Sequence, residues 1–352
     1  MHGMKRRHLL HSLALAPLLA SGLSRASAST RTLATWFGTP PTPSRIARVF
    51  ATGAPAAVLV YVLAPEKLLG WPSYLDDEAR RLLPRVPAEL PHLGRLSGRG
   101  STMSTEALLA LKPDLVLDAG SVTPTHVSGA ERAWQQTGLP YVLVDGRLID
   151  TPAQLRETGT LLGTEERGKQ LAGEAQRVLD LAQAVLSDVA DDERPRVYYG
   201  RGPDGLETGL RGSINMEAIE LAGARNVAAS TGRGGLTQAS MEQILAWDPD
   251  VVLTQHPDFA RHVLTAPLWR GVKAIRQRRV YLAPQYPFGW LDGPPGINRM
   301  LGLPWLLEKL YPGRHPDLAP AKVRDALTAL HQAFYGSLPP AAVLDSPANK
   351  VA

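Results

Sequence analysis

The 352-residue chain contains no cysteine. That absence excludes thiolate metal sites, iron–sulfur clusters, disulfides and a lipid-modified N-terminal cysteine. The chain also lacks an apolar run long enough to cross a bilayer as a helix. Its most apolar stretch, Leu9 to Leu23, falls short of the ~20 residues a span needs. Signatures of hydrolytic catalysis are missing as well: there is no G-x-S-x-G, and no histidine or acid stands out as base to a nucleophile.

The formal charge of +5 is concentrated at the N-terminus, where Lys5, Arg6, Arg7 and Arg25 occur with no acid among the first 28 residues. A basic segment, the apolar run and the small-residue site Ala26-Ser27-Ala28 read together as an export signal over 1–28. Arg6-Arg7 followed by His8-Leu9-Leu10 fits a twin-arginine signal with Leu9 where Phe is usual, and the general secretory route stays open beside it. Without these four side chains, 34 basic residues face 33 acidic ones and no Lys/Arg-rich run remains, so nucleic acid is not an expected partner. The expected product is a free, exported, monomeric protein of the periplasm, without a lipid anchor.

What the chain does have is a repeat. Ser104-Thr-Glu-Ala-Leu-Leu-Ala-Leu-Lys-Pro-Asp-Leu-Val-Leu117 returns 136 residues later as Ser240-Met-Glu-Gln-Ile-Leu-Ala-Trp-Asp-Pro-Asp-Val-Val-Leu253, identical at 8 of 14 positions without a gap. In each copy a Ser N-cap opens a short helix with Glu in its first turn, where the helix dipole favours an acid. Pro-Asp then stops the helix and a β-branched run begins a buried strand. Self-similarity at this distance predicts two lobes of like α/β architecture, since solenoid repeats are far shorter.

Around the repeats, residues 29–44 read as an extended lead-in rich in Ser, Thr and Pro, 45–150 as the N-terminal lobe, and 193–336 as the C-terminal lobe. Strand–helix–strand alternation predicts parallel sheets covered by helices. Between the lobes, in a linker spanning 151–192, Leu171, Ala175, Val178, Ala182, Val185 and Val189 form an apolar stripe. This predicts one helix of about 25 residues and roughly 38 Å, capped by Thr164 and long enough to cross both lobes. Residues 337–352 contain Pro339-Pro340 and no periodicity, and are expected to be a disordered tail.

Ligands of open parallel sheets bind beyond the carboxyl ends of the strands. Those ends carry Trp71, Arg99, Ser121, Tyr199, Arg201, His256, Tyr286 and Trp290, a mixture of rings and guanidinium groups that suits a bulky, flat or anionic organic ligand. Taken singly, each ring is equally well read as packing between the lobes. Gly200-Arg-Gly-Pro-Asp-Gly205 matches G-x-G-x-x-G, but Pro203 sits inside it and no helix follows directly, so it reads as a cleft loop presenting Arg201. The turn Pro294-Pro295 is expected to hold Trp290 and Asp292 at the cleft rim, with Asp292 as a helix cap the alternative. His92, His126 and His256 fall near loop ends, so a three-histidine metal site is conceivable, although none has ligand spacing.

The doubled S-x-E-x-[LI]-L-A-x-x-P-D-[LV]-V-L unit, the inter-lobe helix, the export signal and Gly302-Leu-Pro-Trp-Leu306 resemble the periplasmic substrate-binding proteins of iron–siderophore, haem and cobalamin ABC importers. The resemblance covers roughly 45–335. It implies a class III substrate-binding protein: two Rossmann-like lobes with parallel sheets joined by one long helix, and a ligand held between them. It also implies that Glu106 and Glu242 dock onto arginines of an inner-membrane permease dimer served by an ATPase. The expected function is non-enzymatic capture of a metal chelate, foremost an Fe(III)–siderophore, then haem, cobalamin or another chelate, with no intrinsic cofactor and no resident metal. Arg99, Tyr199, Arg201, His256, Tyr286 and Trp290 are the expected ligand contacts. A direct metal-ion carrier of the same fold, and an exported metalloenzyme using His92, His126 and His256, are the alternatives.

Overall fold

The structure, a computed structural model, describes residues 31–97 and 100–340. The described residues from Leu33 onward form one compact unit; of the residues before it only Arg31 and Thr32 are described, so the predicted export signal lies outside them.

The first sheet is built from β1 (Ala34–Phe37), β2 (Val49–Ala51), β3 (Leu115–Gly120) and β4 (Tyr141–Asp145), in the order β1-β4-β3-β2. β2, β3 and β4 are parallel, and β1 runs antiparallel to β4 with Ala34 opposite Val144. The expectation of an extended lead-in over 29–44 is corrected at this point: Ala34-Thr-Trp-Phe37, rich in strand formers, completes the sheet edge before the proline run begins. Between β2 and β3 the chain forms α1 (Ala54–Leu63), the short helices α2 (Asp77–Arg81) and α3 (Arg85–Ala88), and α4 (Thr105–Ala110). Near residues 68–71 the chain makes isolated bridges, Val49 with Leu68 and Trp71 with His92. α5 (Pro124–Thr137) then leads to β4. α1 is apolar all round and buried throughout from Ala56 to Leu63, with Pro55 in its first turn where a missing N–H costs nothing.

The predicted linker helix is present as α7 (Glu165–Leu186), with 22 residues, and a second helix that the sequence did not predict, α6 (Thr151–Leu162), precedes it. α6 ends at Gly163, left-handed at φ 72°. The two pack closely because Gly159 faces Gly168, where an added Cβ would come within 2.9 Å of the opposing backbone. Thr164 does not cap α7 through its side chain; its hydroxyl faces the Gly159 carbonyl instead. The predicted stripe from Leu171 to Val189 is buried at every position. α7 does bridge the lobes: near its start Arg167 donates to the Val62 carbonyl at the end of α1, and near its end Leu186 lies against Gly223.

The second lobe contains β5 (Arg196–Gly200), β6 (Glu207–Gly209), α8 (Glu217–Leu221), β7 (Arg225–Asn226), β8 (Leu236–Gln238), α9 (Met241–Trp247), β9 (Val251–Thr254), α10 (Pro257–Val263), α11 (Lys273–Arg276) and β10 (Val280–Leu282). Its main sheet is parallel in the order β10-β9-β5-β7, and β6 pairs with β8 in a separate antiparallel ribbon. The glycine-rich segment after β5 runs into β6 with no helix, which agrees with its reading as a loop. Met216 stands at the N-cap of α8 without a side-chain bond. α12 (Gly302–Leu310) and α13 (Pro320–Tyr335) close the molecule, and Ser337, placed by sequence in a disordered tail, is anchored through its hydroxyl to the Leu82 carbonyl at 2.6 Å. Residues 341–352 lie outside the described ones.

One hydrophobic core runs from β2 and α1 through α7 to β9, α12 and α13, so both lobes share it. Arg299, fully buried, ties them further. It donates to the Gly146 carbonyl after β4 and to Ile214 and Glu217 in the second lobe, while Glu217 accepts the Leu148 amide. Breaking such a buried charge from its partners is costly, so wide hinge motion is opposed.

Candidate functional site

A cavity of about 580 Å³ lies between the lobes, lined by Gly53, Ser97, Asp118 and His126 from one and by Arg201, Asn215 and Asp292 from the other. Its first wall follows from topology. β3 ends in Asp118-Ala-Gly120, and Ser121 comes next, so the carboxyl end of the strand opens into the cavity as an open parallel sheet requires. Asp118 is buried, accepting the Ser97 hydroxyl at 3.2 Å, its neighbour's amide at 2.9 Å and the Tyr141 hydroxyl at 3.1 Å. Burial, reinforced by that carboxylate, pushes the Tyr141 hydroxyl far above its ordinary pKa, so it remains a donor.

The opposite wall is a knot of charge. Asp292, its side chain fully enclosed, accepts Asn215 Nδ2 at 2.9 Å and Gln255 Nε2 at 2.5 Å and faces Arg201 Nε at 2.8 Å. Arg201 pairs with Glu207 as well. Burial alone would lower the Arg201 pKa; Asp292, Tyr199 and Glu207 outweigh it and hold the guanidinium charged. The Tyr199 hydroxyl is enclosed against this knot without a well-aligned bond among the described residues, and burial drives its pKa far up.

A second chamber of about 370 Å³ adjoins the first, sharing Ala54, Ser73 and Pro294 with it. Its walls are aromatic: Trp71, Tyr74, Tyr286 and Phe288. Trp71 is fixed by its indole N–H to the Pro87 carbonyl at 2.8 Å and by ring contact with Phe288 at 5.5 Å, whereas Tyr74 is largely exposed. Desolvation, then the nearby Asp76, raises the Tyr286 pKa.

The structure therefore brings Arg201 and Ser121 to the first chamber and Trp71 and Tyr286 to the aromatic one. His126 reaches the first chamber with Nδ1 2.7 Å from the Thr123 hydroxyl. Three expectations of a cleft contact are corrected. Trp290 is fully buried in the shared core, its carbonyl pressed on Gly302 of α12, because a large apolar ring gains more from burial than from a wet rim. Tyr199 is equally enclosed, lying behind Arg201 instead of facing the cavity. His256 stands half-buried at the start of α10, with Nδ1 3.8 Å from Asp258, and lines neither chamber. Arg99 lies outside the described residues. His92 is exposed, and among the described residues no three His, Asp or Glu side chains gather as metal ligands. Sequence reasoning missed Asp118 and assigned Asp292 only an uncertain role. The available signal was an acid inside the apolar run Leu115-Val-Leu-Asp-Ala119, where an unpaired charge would be costly.

Outside the cleft, Glu106 and Glu242 are exposed in the first turns of α4 and α9. Glu106's own amide and the Ser104 hydroxyl hold its carboxyl below the ordinary value, and the Ser240 hydroxyl and own amide do the same for Glu242.

A family model for periplasmic binding proteins matches residues 81–287. The chain belongs to that family. This solute-binding protein is 30% identical over 292 residues to the molybdate-binding protein MolA of Haemophilus influenzae, covering 76% of this chain and 78% of that one. It is 34% identical over 164 residues to a cobalamin-binding protein of Halobacterium salinarum, covering 45% of this chain and 42% of the relative. An ABC transporter solute-binding protein from Sulfurospirillum deleyianum superposes with TM-score 0.79 at 31% identity, covering 87% of this chain and 94% of that one. MolA bound to molybdate superposes at 0.68 with 25% identity, covering 85% and 96%. The fold is thus the class III binding-protein fold, and the protein is the extracytoplasmic solute-binding component of an ABC importer, not an enzyme.

Proposed function

We propose that this binding protein captures a metal chelate, foremost an Fe(III)–siderophore, in the paired chambers between its lobes and hands it to a permease dimer through Glu106 and Glu242. The carrying observation is the pairing itself: a chamber whose walls carry Asp118, Arg201, Asn215 and Asp292, adjoining one walled by aromatic rings. Cavities of ~300–1,000 Å³ enclose drug-sized ligands, and both chambers fall in that range at about 580 and 370 Å³. Polar groups on Ser97, Ser121 and Asn215 suit an oxygen-rich metal complex, while Tyr74 and Tyr286 offer ring faces to its organic frame.

The second reading is a bare oxyanion, favoured by the 30% identity with a molybdate-binding protein. The pairing of Arg201 argues against it, while Arg95 lines the same cavity as a second cation. Arg201 already faces two carboxylates, Glu207 and Asp292, so it brings little uncompensated positive charge to a dianion. Native mass spectrometry of the protein from its own periplasm, followed by calorimetric titration with ferric siderophores, haem, cobalamin and molybdate, separates the readings. A retained adduct of several hundred daltons with a metal isotope pattern is expected. Tight molybdate binding without response to any chelate would overturn the proposal.

A further inference from the structure

The two glutamate-bearing helices repeat more than their acids. From Ser104 to Ala110 and from Ser240 to Ala246 the residues pass through the same sequence of exposed, half-buried and buried positions. One residue anchors each helix. Leu108 packs with Phe50 and Val116 in one lobe, and Ile244 packs with Tyr198 and Val252 in the other. The next residue is a leucine in both copies, and Leu109 and Leu245 are each 41% exposed. Scattered exposed leucines are ordinary. Here the same leucine is left uncovered to the same extent in two lobes whose underlying cores differ, one lined by Phe50 and Tyr141 and the other by Tyr198 and Trp269. In both helices it stands three residues after the glutamate, so acid and leucine are neighbours on one helix surface.

We infer that Leu109 and Leu245 are the apolar anchors of the permease-docking face, each seated beside its glutamate in one half of a two-fold-symmetric partner. The inference rests on the reading of Glu106 and Glu242 as docking residues and adds what they cannot supply. Exposed carboxylates steer approach and select arginines, but their contribution is screened by salt. An interface held against that screening needs apolar side chains buried at its centre. The partner that fits presents, in each of two identical subunits, a cationic side chain next to an apolar socket. Leu245 is partly steadied on its own lobe by Gly271, where an added Cβ would lie 2.7 Å from its Cδ2. That contact holds one edge of the side chain and leaves the rest to a partner.

The test measures binding of the full ligand-free protein to its cognate permease–ATPase complex in nanodiscs, at low and high salt. The variants are L109Q/L245Q, L109M/L245M and E106Q/E242Q. Glutamine keeps helix propensity close to that of leucine, so unchanged thermal unfolding is expected of the first pair. Its affinity should fall about tenfold per leucine at both salt concentrations, while the methionine pair binds like the wild type. The glutamine pair of the acids should weaken binding mainly at low salt. Wild-type affinity of L109Q/L245Q alongside weakened E106Q/E242Q would overturn the leucine inference and leave the docking reading standing. Wild-type affinity of E106Q/E242Q would overturn the docking reading itself. Loss of binding by the methionine pair, or a leucine-dependent dimer of the protein without permease, would also overturn the inference, the latter in favour of a second copy as occupant.

Discussion

The two repeat units differ in how they are held, not in what they present. Both begin with a serine whose hydroxyl accepts an amide three residues on, at 3.1 Å in α4 and 3.2 Å in α9. Both turn into the strand through a left-handed residue, Lys112 at φ 47° and Asp248 at φ 38°. An arginine covers the last helix carbonyls in each: Arg48 reaches Leu111 and Lys112, and Arg196 reaches Trp247 and Asp248. Asp114 and Asp250 each accept the amide of that arginine. The second unit then adds fastenings the first lacks among the described residues. Gln243 completes a capping box, and Lys273 gives its amide to Asp248 and its ammonium to Asp250 at 2.6 Å. The presented face was duplicated closely, while its support was free to differ.

The sharpest way to break this symmetry is at the acids. Glu106→Arg with Glu242→Arg should abolish ligand uptake in cells while ligand affinity in solution stays at the wild-type value, because neither residue lines a chamber. Wild-type uptake would remove docking from these positions. Since both carboxyls are held below the ordinary glutamate value, they stay charged into mild acid. Docking by the wild type should accordingly be flat from neutral pH downward and weaken only below the ordinary glutamate range.

The supports give smaller effects, and these should be unequal. Arg196 is half-buried and Arg48 exposed, so Arg196→Met should cost about 2 kcal/mol of unfolding free energy and Arg48→Met about 1 kcal/mol. Urea denaturation of both variants checks the order; an equal or reversed cost would mean that the first unit is as firmly held as the second.

Asp250→Asn tests the extra lysine directly. Desolvation pushes the Asp250 carboxyl up, but the Lys273 ammonium and the Arg196 amide outweigh it, so its folded pKa is lowered. A group lowered on folding stabilises above its unfolded pKa, and that contribution is lost as pH falls through the folded value. The variant should therefore be about 1 kcal/mol less stable than the wild type at neutral pH, with the gap closing below about pH 4. A gap that persists in acid would exclude the ion pair as its origin.

The architecture was legible in the sequence where one local rule decided it. Ser-x-Glu and Pro-Asp marked both ends of α4 and α9, and the stripe from Leu171 to Val189 marked the buried face of α7. It was illegible where a tertiary partner decided. β1 exists because β4 offers it an edge, and α6 went unread because it is its packing against α7 that fixes it. The cleft shows the same limit. Strand-end placement found Arg201, Ser121, Trp71 and Tyr286, yet it cannot tell a ring turned into the core from one facing the ligand, so Trp290 and Tyr199 were misplaced. Asp292 became prominent only through its convergence with Asn215, Gln255 and Arg201, three residues distant in sequence.

The finest distinction between the units lies in their left-handed residues. A side chain in that region costs roughly 1 kcal/mol relative to glycine, because Cβ crowds the following carbonyl. Lys112 has no compensating side-chain bond among the described residues, whereas Asp248 Oδ1 accepts the Lys273 amide at 2.6 Å. Lys112→Gly should thus relieve strain and stabilise the protein by about 0.5 kcal/mol, after allowance for the greater freedom of glycine in the unfolded chain. Asp248→Gly relieves the same strain but strands the Lys273 amide, and the lost bond, worth about 1–2 kcal/mol to a charged acceptor, outweighs the relief. The two substitutions, at equivalent positions that are both left-handed, should move the unfolding midpoint in opposite directions. Stabilisation by both would show that the Lys273 amide finds solvent without Asp248, and that the second unit needs its extra fastening less than its geometry implies.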